Sequence, residues 1–144
     1  MAIKFKIKNI ADFYEYIDAL QKFAIQPELT RINKILDYFG SPQNKINIIH
    51  IAGTNGKGST AIFCAKILSE YFKNVGLYIS PEILRYNDRI SINSKFISDA
   101  DLINYSKKII KATIKLDTYL TEFEFCTVIM YLYFFDSKVD IAVI

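Results

Sequence analysis

A short apolar run, Ile48-Ile49-His50-Ile51-Ala52, breaks into Gly53-Thr54-Asn55-Gly56-Lys57-Gly58-Ser59-Thr60, and a helical pattern follows with no gap. Few folds accommodate that order. A strand, a glycine-rich turn and a helix N-terminus in immediate succession open a βα unit and aim backbone N–H groups at one point. Glycine lets the turn take left-handed dihedrals. The first N–H groups of the helix have no acceptor one turn back, and the helix dipole adds partial positive charge there. Lys57 adds a full charge. The stretch therefore predicts a phosphate cradle at Gly53, Thr54, Asn55, Gly56, Lys57, Gly58, Ser59 and Thr60. The strict spacing G-x-x-x-x-G-K-[ST] is not met, because Ile51 stands at its first glycine and Gly58 at its hydroxyl. The run reads G-x-x-G-K-G-S, a shorter loop with the hydroxyl one residue deeper in the helix. A glycine-rich βα turn that binds nothing is the alternative reading.

The rest of the chain builds around this unit. Phe13, Ile17 and Leu20 sit at helical spacing, and Leu29, Ile32, Leu36 and Phe39 repeat it, with Pro27 before the second helix and Gly40 and Pro42 after it. Arg31, Lys34 and Asp37 fall off that stripe and read as a solvated face. Ile46 to Ala52 reads as a strand. His50 within it is the single histidine of the chain, has no partner for a metal pair, and reads as structural. Ala61, Ala65, Leu68 and Phe72 give the next helix one apolar face. Val75 to Ile79 is a second strand, close enough to require a right-handed parallel crossover. Ser80-Pro81 ends it at its carboxyl edge, where ligands of open α/β sheets bind. Ile90, Ile92 and Phe96-Ile97 around Asn93-Ser94 suggest a small hairpin. Ser98 and Asp101 open a helix to about Lys115 in the manner of a capping box. Thr121-Glu122-Phe123-Glu124 opens another, apolar all round from Phe125 to Phe135 and hence buried on more than one side. Val139 to Ile144 is a third strand, apolar enough for a sheet centre.

These elements predict one α/β domain, P-loop-containing, with a mostly parallel sheet flanked by helices: leading helices in 1–44 and an incomplete α/β core in 45–144. A net charge of +3 over 144 residues suits small anions. The lysines are spread along the chain, without the concentrated basic stripe that nucleic acid requires. The most hydrophobic stretch, Phe123 to Phe135, is too short to span a bilayer and contains Glu124. Cys64 and Cys126 have no metal spacing and read as buried thiols of a reducing, cytoplasmic compartment.

Three ordered segments resemble one family. The run HIAGTNGKGST resembles the phosphate loop of folylpolyglutamate synthase and the bifunctional dihydrofolate synthase, which are Mur-ligase-like amide ligases. Ser80-Pro81 with Arg85-Tyr86-Asn87-Asp88-Arg89-Ile90 is similar to the family's S-P-x-x-x-R-x-x-[ED]-R-[IV] segment. Thr121-Glu122-Phe123-Glu124 with Thr127 is similar to its T-x-F-E-x-x-T segment. Val139 to Ile144 looks like the strand that leads to the family's E-V-G-L-G-G-R motif, cut before the glutamate. Glu82 stands where many members have His.

The resemblance implies part of an N-terminal ATP-binding domain without its C-terminal, glutamate-binding domain. It implies ATP as substrate with Mg²⁺, folate or dihydropteroate as acceptor, and L-glutamate joined through an acyl phosphate. Lys57 would be the catalytic cation, the loop residues would hold the phosphates, and Ser80 would ligate Mg²⁺. Ser80, Pro81, Arg85, Arg89, Thr121 and Phe123 would line the pterin pocket, with the two arginines either touching substrate or bracing the loop, and Phe123 either offering its ring or filling the core. The parent would be a cytoplasmic monomer. This chain alone, as a nucleotide-binding module or an inactive truncated fragment, is expected to lack ligase activity.

Overall fold

The computed structural model describes residues 5–21 and 28–144; Pro27, expected to precede the second helix, lies outside them. The chain forms two compact units, Met1–Asn44 (as far as described) with Asp99–Tyr133, and Lys45–Ser98 with Phe134–Ile144.

The first unit is helical. Helix α1, Ile10–Leu20, is capped by Asn9, whose side chain accepts the Asp12 N–H while the Asp12 carboxylate accepts the Asn9 N–H. That reciprocal pair satisfies two orphan donors. Phe13, Ile17 and Leu20 are buried, as their spacing predicts. Helix α2, Thr30–Tyr38, departs from its expected stripe: Arg31, Ile35 and Leu36 are buried, whereas Leu29 is exposed. Arg31 is no part of a solvated face. It is drawn inward by Glu124 and Glu28 and by the ring of Tyr119, over which its guanidinium lies at 5.0 Å. Lys34 and Asp37 are exposed. Helix α4, Asp99–Lys115, begins directly after Ser98. Helix α5, Glu122–Asp136, is buried or half-buried at every residue from Glu124 to Phe134, which its uninterrupted apolar run requires. The rings of Tyr16 and Phe125 meet edge to face at 5.2 Å. Both cysteines are free, Cys126 buried and Cys64 half-buried.

The second unit is a five-stranded sheet. Its strands are β1 (Ile48–Ile49), β2 (Val75–Tyr78), β3 (Ile90–Ile92), β4 (Lys95–Phe96) and β5 (Ile141–Val143), in the order β1-β5-β2-β3-β4. The last strand enters between the first two, parallel to both, while β3 and β4 are antiparallel additions. The Asn93-Ser94 turn has positive φ at both residues, 48° and 63°, the twist that suits a two-residue hairpin. The expected strand Ile46–Ala52 pairs over only two residues, with β5, its neighbour among the described residues, itself three residues long. Single hydrogen bonds beyond them, Ala142 N–H to Asn47 O and Ile51 N–H to Ile144 O, keep the backbone extended.

Helix α3, Lys57–Leu68, covers one sheet face. Ala61 and Ala65 lie against Val75, Ile79 and Val143, with Ile49, Ile51, Leu77 and Ile141 at the margin. All the strand residues in that cluster are odd-numbered, as the two-residue repeat of a strand dictates. The helix stops at Leu68, so Phe72 lies past its end, 40% exposed. On the other sheet face the ring of Phe134 approaches Gly76 so closely that a Cβ there would lie 2.9 Å from it. We expect Gly76→Ala to destabilise the chain by about 1–3 kcal/mol, the usual cost of overpacking, read as a lower midpoint in thermal or urea unfolding. A midpoint unchanged within error would show that Phe134 yields without cost.

Candidate functional site

Parallel pairing of β1, β5 and β2 puts their carboxyl ends on one edge of the sheet. The register sets Ile49, Val143 and Leu77 in one row across the three strands. The chain beyond β1 becomes the glycine loop, and the chain beyond β2 becomes Ile79-Ser80. Two strand spacings, about 10 Å, separate the two exits. The edge thus brings Gly53–Thr60 and Ser80 together, as the crossover predicts.

Gly56 makes the turn. It is the N-cap of α3 in the left-handed region, φ 74°, and a Cβ there would meet nothing within 4 Å. The backbone angle, rather than space, asks for glycine at that point. Helix α3 then starts at Lys57, and its first intrahelical bond runs from Thr60 N–H to Gly56 O at 2.9 Å. The N–H groups of Lys57, Gly58 and Ser59 precede that bond and point past the helix end. The loop is open to solvent from Gly53 to Lys57 and again at Ser59 and Thr60; Gly58 is half-buried. Lys57 folds back over the turn, donating from Nζ to the carbonyls of Gly53 at 2.7 Å and Thr54 at 3.2 Å. It is thereby held over the concavity its own loop encloses. His50 is exposed at the strand end.

Gly58 has no conformational or packing reason to be glycine. It is inside the helix, where glycine costs up to about 1 kcal/mol against alanine, and a Cβ would touch nothing among the described residues within 4 Å. A side chain there would stand in open space beside the first turn of the helix.

The segment after β2 is braced by its own polar groups. The Ser80–Pro81 peptide is cis, and Ser80 to Arg85 are exposed. Asp88 is buried; its Oδ2 accepts the N–H groups of Leu84 at 2.9 Å and Arg85 at 3.0 Å. Asn87 donates to Ile97 O at 2.8 Å, which ties the segment to the hairpin. Arg89 is buried, pairs with Glu82 through Nε at 2.7 Å and Nη2 at 2.6 Å, and lies over the Tyr86 ring at 4.6 Å. Arg89 is thus tied to its own segment, whereas Arg85 is exposed. Burial alone would raise the Glu82 carboxyl; its own backbone N–H and Arg89 outweigh that and hold it below the usual carboxylate range.

In the helical unit Thr121 is buried as the cap of α5, and Phe123 is 56% exposed on its first turn rather than in the core. Sequence reasoning passed over Glu82, Asn87 and Asp88 as working groups. The alternation of acid and base between Glu82 and Arg89 is the signal that could have found the ion pair. Among the described residues no three His, Cys, Asp or Glu side chains gather as a metal site, and no helix is long and apolar enough to cross a membrane.

No family model matches the chain. It is 40% identical over 141 residues to the folylpolyglutamate synthase of Lacticaseibacillus casei, covering 94% of this chain and 33% of that protein. It is 38% identical over 137 residues to the dihydrofolate synthase/folylpolyglutamate synthase of Bacillus subtilis, covering 92% and 32%. Among solved structures, an FPGS–AMPPCP–folate complex superposes with a TM-score of 0.88 at 39% identity, over 95% of this chain and 35% of that one. The chain is thus homologous to these synthases and spans about a third of their length.

The Glu82–Arg89 pair makes a pH-dependent contribution. A carboxyl lowered in the folded state stabilises fully above the ordinary glutamate pKa of about 4.3 and loses that contribution as pH falls through its folded value. We expect the unfolding midpoint of Glu82→Gln to lie below that of the unmodified chain by a constant margin from neutral to mildly acid pH. The margin should close in the acid range below the ordinary value. A margin that persists there would show that the charge on Glu82 is not what braces the segment.

Proposed function

We propose that this chain, as a homologue of the folylpolyglutamate and dihydrofolate synthases, is part of an N-terminal ATP-binding domain whose loop Gly53–Thr60 holds the β- and γ-phosphates. The observation that carries this is Gly58, a helix-weakening residue with no role in the chain's own packing, at the mouth of an N-terminus already furnished with Lys57. The likeness to a complex that contains AMPPCP and folate supports the same reading.

The parent reaction is ATP-dependent amide formation. A carboxylate of folate or dihydropteroate takes the γ-phosphoryl group, and the amino group of L-glutamate then displaces phosphate. Backbone N–H groups at the start of α3 bind the ground-state phosphates. Lys57 leaves the Gly53 and Thr54 carbonyls and follows the charge that builds on the transferring group. Ser59 and Ser80 offer hydroxyl oxygens on the same sheet edge. Ser59 and Ser80 would be this chain's contribution to a Mg²⁺ ion, which normally also takes a carboxylate, and the ion would neutralise phosphate charge there. In the sheet unit Pro81 and Arg85 serve the pterin substrate, with Arg89 fixing their segment through Glu82; in the helical unit Thr121 and Phe123 serve it, Phe123 through its exposed ring. The two free cysteines support a cytoplasmic location, and the dispersed lysines support a protein without nucleic-acid partners; we take it to be a monomer. Spanning a third of its relatives, the 144-residue polypeptide by itself binds nucleotide without ligating, because orientation of both substrates supplies much of such a rate enhancement.

Two substitutions test the site with opposite signatures. Gly58→Ala should raise thermal stability, by up to about 1 kcal/mol, and weaken ADP at least about tenfold by blocking the N-terminus. Lys57→Ala should leave stability nearly unchanged and weaken ADP by about ten- to a hundredfold, as loss of a charged hydrogen bond does. Calorimetric titration with ADP and Mg²⁺ reads both. Unchanged ADP affinity in both variants would remove the loop from nucleotide binding.

A further inference from the structure

The turn Thr121-Glu122-Phe123 presents an exposed ring, and a ring on a helix's first turn is directed only as well as that turn is fixed. Here the fixing group is Glu124. Its Oε2 accepts Thr121 N–H at 2.7 Å, and its own N–H donates to Thr121 Oγ1 at 3.3 Å. The same carboxylate is held from a distant part of the sequence. Arg31 Nη2 donates to Oε1 at 3.2 Å, and Arg31 Nε lies 3.5 Å from Oε2. Arg31 is 7% exposed and is itself anchored, by Glu28 at 2.8 Å and by the face of Tyr119.

An ion pair this buried is no efficient source of stability, since two apolar groups of similar volume often serve as well or better. What it does supply is direction. The planar guanidinium meets both carboxylate oxygens and leaves Oε2 aimed at the Thr121 N–H. A lysine ammonium would give a charge without the fork.

We infer that Arg31 is a positioning residue: through Glu124 it fixes the first turn of α5 and thereby the direction in which Phe123 meets a flat substrate ring. This rests on the reading that Phe123 takes the pterin ring. Arg31 reaches the turn of Phe123 through the Glu124 carboxylate, and the geometry of that turn is what changes when Arg31 is lost.

The test is a titration of the ¹⁵N-labelled chain with folic acid, using Arg31→Met, Arg31→Lys, Phe123→Ala and the Arg31→Met/Phe123→Ala double variant. Amide hydrogen exchange at Thr121 and Glu124, and ADP affinity, are measured alongside. We expect Phe123→Ala to weaken folic acid about tenfold and Arg31→Met about fivefold, with the double variant no weaker than Phe123→Ala, the non-additivity of groups that act together. Exchange at Thr121 should quicken in Arg31→Met and Arg31→Lys, with ADP affinity held within about twofold. If Arg31→Met does not fold, Arg31→Lys carries the same comparison. A lower unfolding midpoint with unchanged folic acid affinity and unchanged Thr121 exchange would overturn the inference and make the pair purely structural. Phe123→Ala without effect on folic acid, or no folic acid shift in the unmodified chain, would overturn the substrate reading and the inference with it; quickened Thr121 exchange would still mark which of the two had failed first.

Discussion

The site depends on one insertion. Strand β5, the last in the sequence, lies between β1 and β2 and is the only partner of β1 among the described residues. Hydrogen bonds from Ala142 to Asn47, Ile144 to Ile49 and Ile51 to Ile144 hold β1 straight until the loop begins. Parallel pairing on both sides of β5 aligns three carboxyl ends, and that alignment alone puts Lys57 and Ser80 on one edge. Val143 and Ile141 then complete the apolar face on which Ala61 and Ala65 seat α3. The helix N-terminus is aimed from below by packing and from the side by backbone pairing.

Beyond the strands, stability of the functional segments comes from side chains that bond to nearby backbone. Asp88 holds Leu84 and Arg85, Glu124 holds Thr121, and Lys57 spans Gly53 and Thr54. Each is a local contact within three or four residues. Such contacts order a loop without a core of its own; those of Lys57 lie at the exposed surface, whereas the Glu124–Thr121 bond is buried. The exposed Lys57 bonds to the Gly53 and Thr54 carbonyls are the ones that a phosphate would replace under the proposed function.

Local patterns were legible in the sequence because local physics writes them. The strand-to-helix turn at Gly53–Thr60, the Asn93-Ser94 hairpin, the Ser98 start of α4 and the central placement of Val139–Ile144 all follow from residue spacing. What spacing does not carry is pairing across the chain. Arg31 reads as a surface charge until Glu124, 93 residues on, is placed opposite it. Strand β1 reads as seven residues because an apolar run does not reveal how many of them find a pairing partner in β5. Phe123 reads as ligand face ahead of core, and with Thr121 and Glu124 the buried members of its turn the ring is exposed.

The central claim is that this loop recognises phosphate charge, irrespective of the base attached to it. The most direct measurement is an amide chemical-shift titration of the chain with tripolyphosphate and Mg²⁺, compared with adenosine alone. The account requires tripolyphosphate to shift the amides of Gly56 to Thr60 and adenosine to leave them in place. Shifts from adenosine that equal those from tripolyphosphate, or tripolyphosphate shifts centred elsewhere in the chain, would contradict it.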